Sequence, residues 1–327
     1  MAGVVGLALG SGTPPEAIGP TAALAEQLGF SELWISEDCF YTGGISGAAI
    51  ALGATKRIPV GLGLVSVCLR HPALLAMECA TLARAFPGRF RPGIGLGLAH
   101  GLEQLDLYPR SPLVVVRECC SSLRALLAGE ALNSKSSFAT FDHVTLAYPP
   151  PEAPPIYVGG HGPRMIELTG EVGDGTLLSV FAGVDYVRWA RALVLAGQAK
   201  AGRSGAAHPL PVLALFCADR DSARAKAALA PVMASFLAMM PRTALGDVYG
   251  ITEQLVALAE GGAAAVLEGM PERWLTDLCV VGDPEECAAQ IRLLLEAGAD
   301  SVVLFPVPTQ NVEEMLKLVA NEVFPRL

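Results

Sequence analysis

The chain has 327 residues, 52% of them hydrophobic, which is enough to bury a large core. Its net charge of -9 and scattered basic residues argue against a nucleic-acid-binding surface. There is no basic N-terminal region leading into an apolar segment, and no unbroken apolar run of about 18 residues. We therefore expect no export signal, no membrane association and a cytoplasmic location.

Eight cysteines occur without a Cys-x2-Cys pair, so the spacing predicts no metal site. Several of them lie within apolar runs, where cysteine behaves as a small hydrophobic residue. We interpret them as reduced thiols of a cytosolic protein.

Apolar strand-like runs alternate with helix-like segments about eight times along the chain. Predicted strands cover residues 4–9, 32–36, 60–67, 91–96, 156–158, 176–180, 210–218 and 301–305. Predicted helices cover 16–28, 45–54, 72–86, 113–128, 164–172, 185–202, 222–237, 284–297 and 313–323. The strands lack polar alternation, as strands of a parallel sheet buried on both faces do. This pattern favours an α/β protein of one domain, 1–327, built as a (β/α)8 (TIM) barrel rather than an open sheet.

Two segments, 129–155 and 239–274, are too long for plain connections and are predicted to be functional insertions that shape a pocket. Their apolar residues, among them Phe138 and Phe141, hint at an uncharged or aromatic substrate. In a barrel of this kind, ligands bind at the C-terminal ends of the strands. The residues predicted around that mouth are Ser11, Asp38, Ser66, Gly97, His100, Gly160, His161, Gly162, Ser179 and Phe305.

A short apolar run, 156–158, is followed by Gly159-Gly160-His161-Gly162-Pro163 and then by helical spacing. Glycines let the backbone approach a ligand closely, and proline suits the first turn of a helix. The free N–H groups and the dipole of a helix start favour an anion such as phosphate. The pattern therefore predicts either a phosphate-binding loop or a tight turn without a ligand.

Three stretches together resemble the bacterial luciferase-like superfamily, in particular its deazaflavin branch, which uses coenzyme F-420. They are residues 33–38 (LWISED), residues 57–97, and the glycine loop 159–164 followed by 170–175. The last is similar to the corresponding block of methylene-tetrahydromethanopterin reductases. A weaker match covers 281–286 and 297–300.

The resemblance implies a barrel with insertions, a homodimer, and F-420 as the cofactor with FMN as the alternative. The backbone of Gly160, His161 and Gly162, followed by Pro163, would hold the cofactor phosphate. A non-prolyl cis peptide at Gly63-Leu64 would press on the cofactor ring from behind. Asp38, Ser66 and Gly97, which the barrel places at its mouth, complete the predicted cofactor-binding residues.

Hydride transfer requires contact between ring and substrate and an acid near the developing charge. Asp38 and His100 are the predicted catalytic residues, since Asp38 can bond the ring or substrate and histidine titrates near neutral pH. Alternatively, Asp38 or Glu37 satisfies loop backbone groups. The chain departs from the family pattern at Cys39, where histidine is usual, and at Ala8, where reductases often have glutamate.

The prediction is an F-420-dependent oxidoreductase that transfers a hydride to or from a small organic substrate. One alternative is an FMN-dependent monooxygenase on the same fold. The other is a non-catalytic flavin-binding homologue, suggested by the two departures.

Overall fold

In the described part of the chain, the strands are parallel, apart from one surface hairpin. A computed structural model describes residues 4–327. The strands are β1 (Val5–Leu9), β2 (Leu33–Ile35), β3 (Val60–Leu62), β4 (Val65–Ser66), β5 (Phe90–Arg91), β6 (Gly93–Gly95), β7 (Leu132–Lys135), β8 (Thr140–Val144), β9 (Tyr157–Gly159), β10 (Gly175–Leu177), β11 (Pro211–Ala218), β12 (Val280–Gly282) and β13 (Ser301–Pro306).

Fourteen α-helices are found in the described residues, most of them lying between consecutive parallel strands. They are α1 (Pro15–Leu28), α2 (Gly44–Ala54), α3 (Pro72–Ala85), α4 (Ala99–Gln104), α5 (Pro112–Leu127), α6 (Pro163–Val172), α7 (Val184–Lys200), α8 (Ser222–Met239), α9 (Ala244–Tyr249), α10 (Thr252–Ala259), α11 (Gly262–Gly269), α12 (Arg273–Leu278), α13 (Pro284–Glu296) and α14 (Val312–Leu318). None of the helices within 4–327 has the length and apolarity needed to cross a membrane.

The parallel strands form a closed ring, as the sequence predicts. Strand β1 pairs with both β2 and β13. From β2 the pairing continues through β3 with β5, β4 with β6, β6 with β9, and β9 with β10. Leu178, just after β10, bridges Val212 of β11, and β11 pairs with β13. Since β3–β4 and β5–β6 are each one interrupted strand, the ring has eight positions.

A partly buried ion pair lies near the N-terminal ends of the ring strands. Glu32, directly before β2, is buried and pairs with Arg91 at the end of β5. Ser301, the first residue of β13, donates a hydrogen bond of 2.5 Å from its Oγ to Glu32 Oε1. These contacts join strands that are distant in the sequence, so they help to hold the ring together.

We expect Arg91→Met to lower the free energy of unfolding by about 3 kcal/mol, because it leaves a buried carboxylate without its partner. Urea denaturation of both proteins measures the difference. The matched control is Arg117→Met, which removes an arginine paired with Glu171 on the surface and should cost less than about 1 kcal/mol. Equal losses in the two variants would show that the Glu32–Arg91 pair has no special role.

The insertion at 129–155 is a hairpin of β7 and β8, and its position differs from the predicted pocket wall. It packs outside the ring, where Ser136 Oγ donates to Glu118 of α5 at 2.6 Å. Arg84 of α3 donates to the Pro149 carbonyl at 2.9 Å. Phe141 lies 5.1 Å, between ring centroids, from His71 at the start of α3. The hairpin thus covers two helices, and Phe141 approaches the loop after β4.

The insertion at 239–274 forms α9, α10 and α11 and the beginning of α12. It closes over Phe181, which follows β10 and packs edge-on against Phe236 of α8 with ring centroids 6.2 Å apart. Leu245 and Ile251 of the insertion line the same small apolar crevice as Phe181. This insertion therefore lies at the C-terminal end of β10, on the side of the barrel where the prediction places the ligand.

Candidate active site

The loops after β1 and β2 are joined at the mouth of the barrel. Ser11 Oγ donates a hydrogen bond of 2.6 Å to Asp38 Oδ2. The Thr42 N–H donates to the Ser11 carbonyl at 3.2 Å, and Thr42 Oγ1 donates to the Thr13 carbonyl at 2.9 Å. Asp38 is only partly buried, so one carboxylate oxygen is fixed by Ser11 within a half-open site.

The neighbouring Glu37 has a structural role. Its carboxylate forms a two-point ion pair with Arg70, at 2.6 and 2.7 Å, and accepts the Gly44 N–H at 2.9 Å. This contact ties the loop after β2 to the loop after β4. Of the two acids that could satisfy the loop backbone, Glu37 therefore does so, while Asp38 is bonded by a side chain.

Cys39 occupies the position where the family pattern has histidine. Its side chain packs against α4, since a Cβ atom added at Gly101 would lie 2.7 Å from Cys39 Cβ. Burial, with Asp38 and Glu37 nearby, raises the pKa of the Cys39 thiol. A thiol held in its neutral form by these neighbours packs as a small apolar group and is a poor nucleophile.

The peptide bond between Gly63 and Leu64 is cis, as the resemblance implied. It separates β3 from β4. The Leu64 side chain extends across to two neighbouring strands, because Cβ atoms added at Gly95 or Gly159 would each lie 2.6 Å from Leu64 Cδ2. Glycine at both positions leaves the space that the leucine fills.

Ser66 and Gly97 join the ends of β4 and β6. Ser66 Oγ donates to the Leu96 carbonyl at 2.6 Å and accepts the Cys68 N–H at 3.2 Å. Gly97 has a φ of 85°, a left-handed conformation that favours glycine. The Ser66 hydroxyl proton is thus engaged within the protein, and the predicted role of Ser66 in cofactor binding depends on its remaining lone pair.

The glycine loop 160–162 leads into α6 as the sequence predicts. Gly162 is the N-cap residue, and within residues 4–327 no side chain caps this helix. The first helical bond is donated by the Ile166 N–H to the Gly162 carbonyl at 2.9 Å, which leaves the N–H groups of Arg164 and Met165 unused by the helix. A Cβ atom at Gly162 would meet nothing within 4 Å, so there is room for a ligand at the helix start.

His161 in this loop is held by its backbone. Tyr186 of α7 donates a hydrogen bond of 2.5 Å from its hydroxyl to the His161 carbonyl. His161 Nδ1 is buried and has no hydrogen-bond partner in the described part of the chain, and burial lowers the pKa of the ring. An orphaned buried nitrogen, an uncapped helix start and open space together fit a phosphate group.

The histidines at the mouth have different environments. His100 lies in the first turn of α4 and is exposed, so its predicted role as proton donor stays a prediction. His71 is the N-cap residue of α3, where its Nδ1 accepts the Ala73 N–H at 3.2 Å. That contact gives His71 a structural role.

Sequence reasoning missed three partners in this site. Ser11 had been placed at the mouth without a partner, and neither Arg70 nor Tyr186 had been assigned a role. A hydroxyl or guanidinium that bonds a residue 25 to 33 positions away leaves no local spacing signal. Only the return of successive strands to one end of the barrel brings these groups together.

A separate crevice of about 570 Å³ lies between α8 and α14. Its charged groups are largely paired, as in Arg220 with Glu322 and Arg224 with Asp219. None of the predicted site residues lines it, so its volume does not mark the site.

The barrel, the cis bond and the glycine loop at α6 define a luciferase-like protein, and the chain belongs to that family. The family model described as luciferase-like monooxygenase matches residues 2–301. This confirms the family that the sequence motifs predict.

Similar proteins lie in the F-420-dependent branch of the family, as predicted. The chain is 30% identical over 308 residues to the 5,10-methylenetetrahydromethanopterin reductase of Methanolobus tindarius, covering 92% of this chain and 94% of that protein. It is 30% identical over 318 residues to the F420-dependent glucose-6-phosphate dehydrogenase of Beutenbergia cavernae, covering 93% and 91%. The fold matches that of the coenzyme F420 dependent tetrahydromethanopterin reductase of Methanopyrus kandleri with a TM-score of 0.88, at 23% identity over 99% of each chain.

Proposed function

We propose that the protein is an oxidoreductase that uses coenzyme F-420 to transfer a hydride to or from a small organic molecule. The observation that carries the proposal is the uncapped start of α6, with open space at Gly162 and the buried, unpartnered Nδ1 of His161. The relative from Beutenbergia cavernae, 30% identical, is named as an F420-dependent enzyme, which favours the deazaflavin over FMN.

Different residues of this chain would bind the phosphate and the ring of the cofactor. The backbone N–H groups around Gly160–Gly162 and the first turn of α6 would bind the cofactor phosphate. Gly63, Leu64 and Gly97 would support the ring at the mouth. When bound, reduced F-420 supplies a hydride, so a substrate that accepts it also needs one proton.

Asp38 is the group that we propose for moving that proton. Its Oδ2 atom is fixed by Ser11 at 2.6 Å, so the carboxyl group is oriented before any substrate binds. Its loop is held in turn by the Glu37–Arg70 pair. Asp38 is therefore positioned without a neighbouring histidine. The site can work although Cys39 stands where the family pattern has histidine.

Titration of the apoprotein with F-420 and, separately, with FMN tests the proposal, with ring fluorescence as the signal. We expect F-420 to bind at least tenfold more tightly than FMN. A preference for FMN would replace the proposal with an oxygen-using monooxygenase, and binding of neither would indicate a non-catalytic homologue.

We further propose that the protein is a cytoplasmic homodimer. Its eight cysteines are free, which suits a reducing compartment. Leu74 and Met77, three residues apart on α3, are exposed and face the same way, as an apolar contact between two copies would require.

Replacing both Leu74 and Met77 with glutamate should convert the dimer to a monomer, since the charges would be buried unpaired in the interface. Light scattering measures the mass of the particle. A control with Leu195 and Leu293 replaced in the same way alters exposed leucines on other helices and should remain a dimer. A dimeric α3 variant would exclude this helix as the contact.

A further inference from the structure

Apolar side chains are exposed on two loops beside the site. In the segment after β2, Phe40 is 70% exposed and is followed by the equally open Tyr41. Leu98, 44% exposed, directly follows Gly97 after β6. We call these residues, together with Leu105, Leu107 and Tyr108, the apolar rim.

The two parts of the apolar rim are neighbours in space. Cys39, next to Phe40, packs against Gly101 of α4, the helix that begins one residue after Leu98. The rim is also continuous with the site, because Asp38 lies two residues before Phe40. Exposed apolar groups that adjoin a reactive carboxylate are suited to a ligand rather than to the core.

The backbone of Phe40 is in an unfavourable conformation. Its φ is 74°, a left-handed conformation that is costly for a bulky residue and persists only where its surroundings enforce it. Its ring is exposed, so core packing does not compensate for that cost. A conformation held without a packing gain is typical of a functional site.

Basic residues are absent from most of the mouth. Within the described residues, five segments at the strand ends contain neither lysine nor arginine. They are 10–14, 36–43, 96–109, 178–183 and 307–311.

Two of the arginines near the mouth are either paired or lie beside the cofactor loop. Arg70 is engaged by Glu37 in a two-point pair. Arg164 lies in the first turn of α6, beside the loop proposed for the cofactor phosphate. The acids Asp38, Glu103 and Asp106 stand on the rim segments themselves. Arg110 is the exception, because it lies two residues after Tyr108, is exposed and forms no ion pair in the described part of the chain. The three acids outnumber it, so a substrate phosphate or carboxylate would meet net negative charge on the rim segments, which is unfavourable.

We propose that the substrate is an uncharged molecule with an apolar or aromatic body that lies against the apolar rim, and that it is not a sugar phosphate. The inference rests on the proposed function and deepens it. It separates this chain from the relative that acts on glucose 6-phosphate, although the two are 30% identical.

The test uses the protein loaded with F-420 and follows the fluorescence of the bound ring. Binding of F-420 is measured first, and its failure would remove the proposed function and this inference together. The loaded protein is then titrated with acetophenone, as an uncharged aromatic probe, and with glucose 6-phosphate. We expect acetophenone to bind at least tenfold more tightly. Tighter or equal binding of glucose 6-phosphate, or no response to either probe, would overturn the inference while leaving the cofactor assignment intact.

A substitution in the apolar rim tests whether acetophenone binds there. Leu98→Ser should weaken acetophenone binding about tenfold and leave F-420 binding unchanged. The matched control is Leu293→Ser on α13, where the leucine is 47% exposed, and it should change neither. Equal effects of the two substitutions would show that the probe does not lie on the rim.

Discussion

Asp38→Asn should slow turnover about 1,000-fold while the affinity for F-420 changes by less than about threefold. A positioned acid or base contributes roughly 100- to 10,000-fold to a proton transfer, and asparagine keeps the shape of the side chain without its ionisable proton. Single-turnover oxidation of reduced F-420, with an acceptor that the unaltered protein reduces, measures the effect.

Two further variants separate the role of Asp38 from a general disturbance of the mouth. Ser11→Ala removes the hydrogen bond to Asp38 Oδ2 and should cost about tenfold in rate, the worth of one bond to a charged group. Asp142→Asn, an exposed acid on β8 outside the ring, should leave the rate unchanged. If Asp38→Asn retained more than a tenth of the rate, water or another group would be the proton carrier.

Gly162→Asp should weaken the affinity for F-420 by about 100-fold or more. The same substitution should stabilise the folded protein slightly. Gly162 is the N-cap residue of α6, with φ −80° and ψ 161°, and has open space around its Cβ position. Aspartate is a favourable N-cap there, so its carboxylate would satisfy the free N–H groups. The same carboxylate would repel a phosphate from the place that we propose for it.

Gly162→Asn is the matched control, because asparagine caps a helix equally well without charge. It should weaken F-420 binding by much less than aspartate does. Fluorescence titration gives the affinities, and thermal melting shows that both variants fold. Equal affinities for the aspartate variant and the unaltered protein would mean that the phosphate binds elsewhere.

The ring of strands could be predicted because most of its strands are buried on both faces and so read as apolar runs. Strand β12, which pairs with β11, was missed, since Val280–Gly282 is three residues long and directly precedes a helix. The hairpin β7–β8 was also missed. Its first strand, Leu132–Lys135, is mostly exposed and gives no alternating pattern. Short or solvated strands depend on their neighbours, which the local sequence does not contain.

The site could be predicted in part. The glycine loop and the start of α6 at Pro163 follow from local preferences for glycine and proline. The cis bond at Gly63-Leu64 came from family resemblance, since composition does not distinguish cis from trans. The Ser11–Asp38 bond and the separate task of Glu37 could not be predicted, because both depend on how the strand ends converge.

A crystal structure of the protein with F-420 bound tests the proposed site most directly. We predict the cofactor phosphate within hydrogen-bond distance of the backbone N–H groups of residues 160–165, and the ring against Gly63-Leu64 with Asp38 at its edge. A phosphate bound away from α6, for example in the crevice between α8 and α14, would contradict the proposed site and the function derived from it.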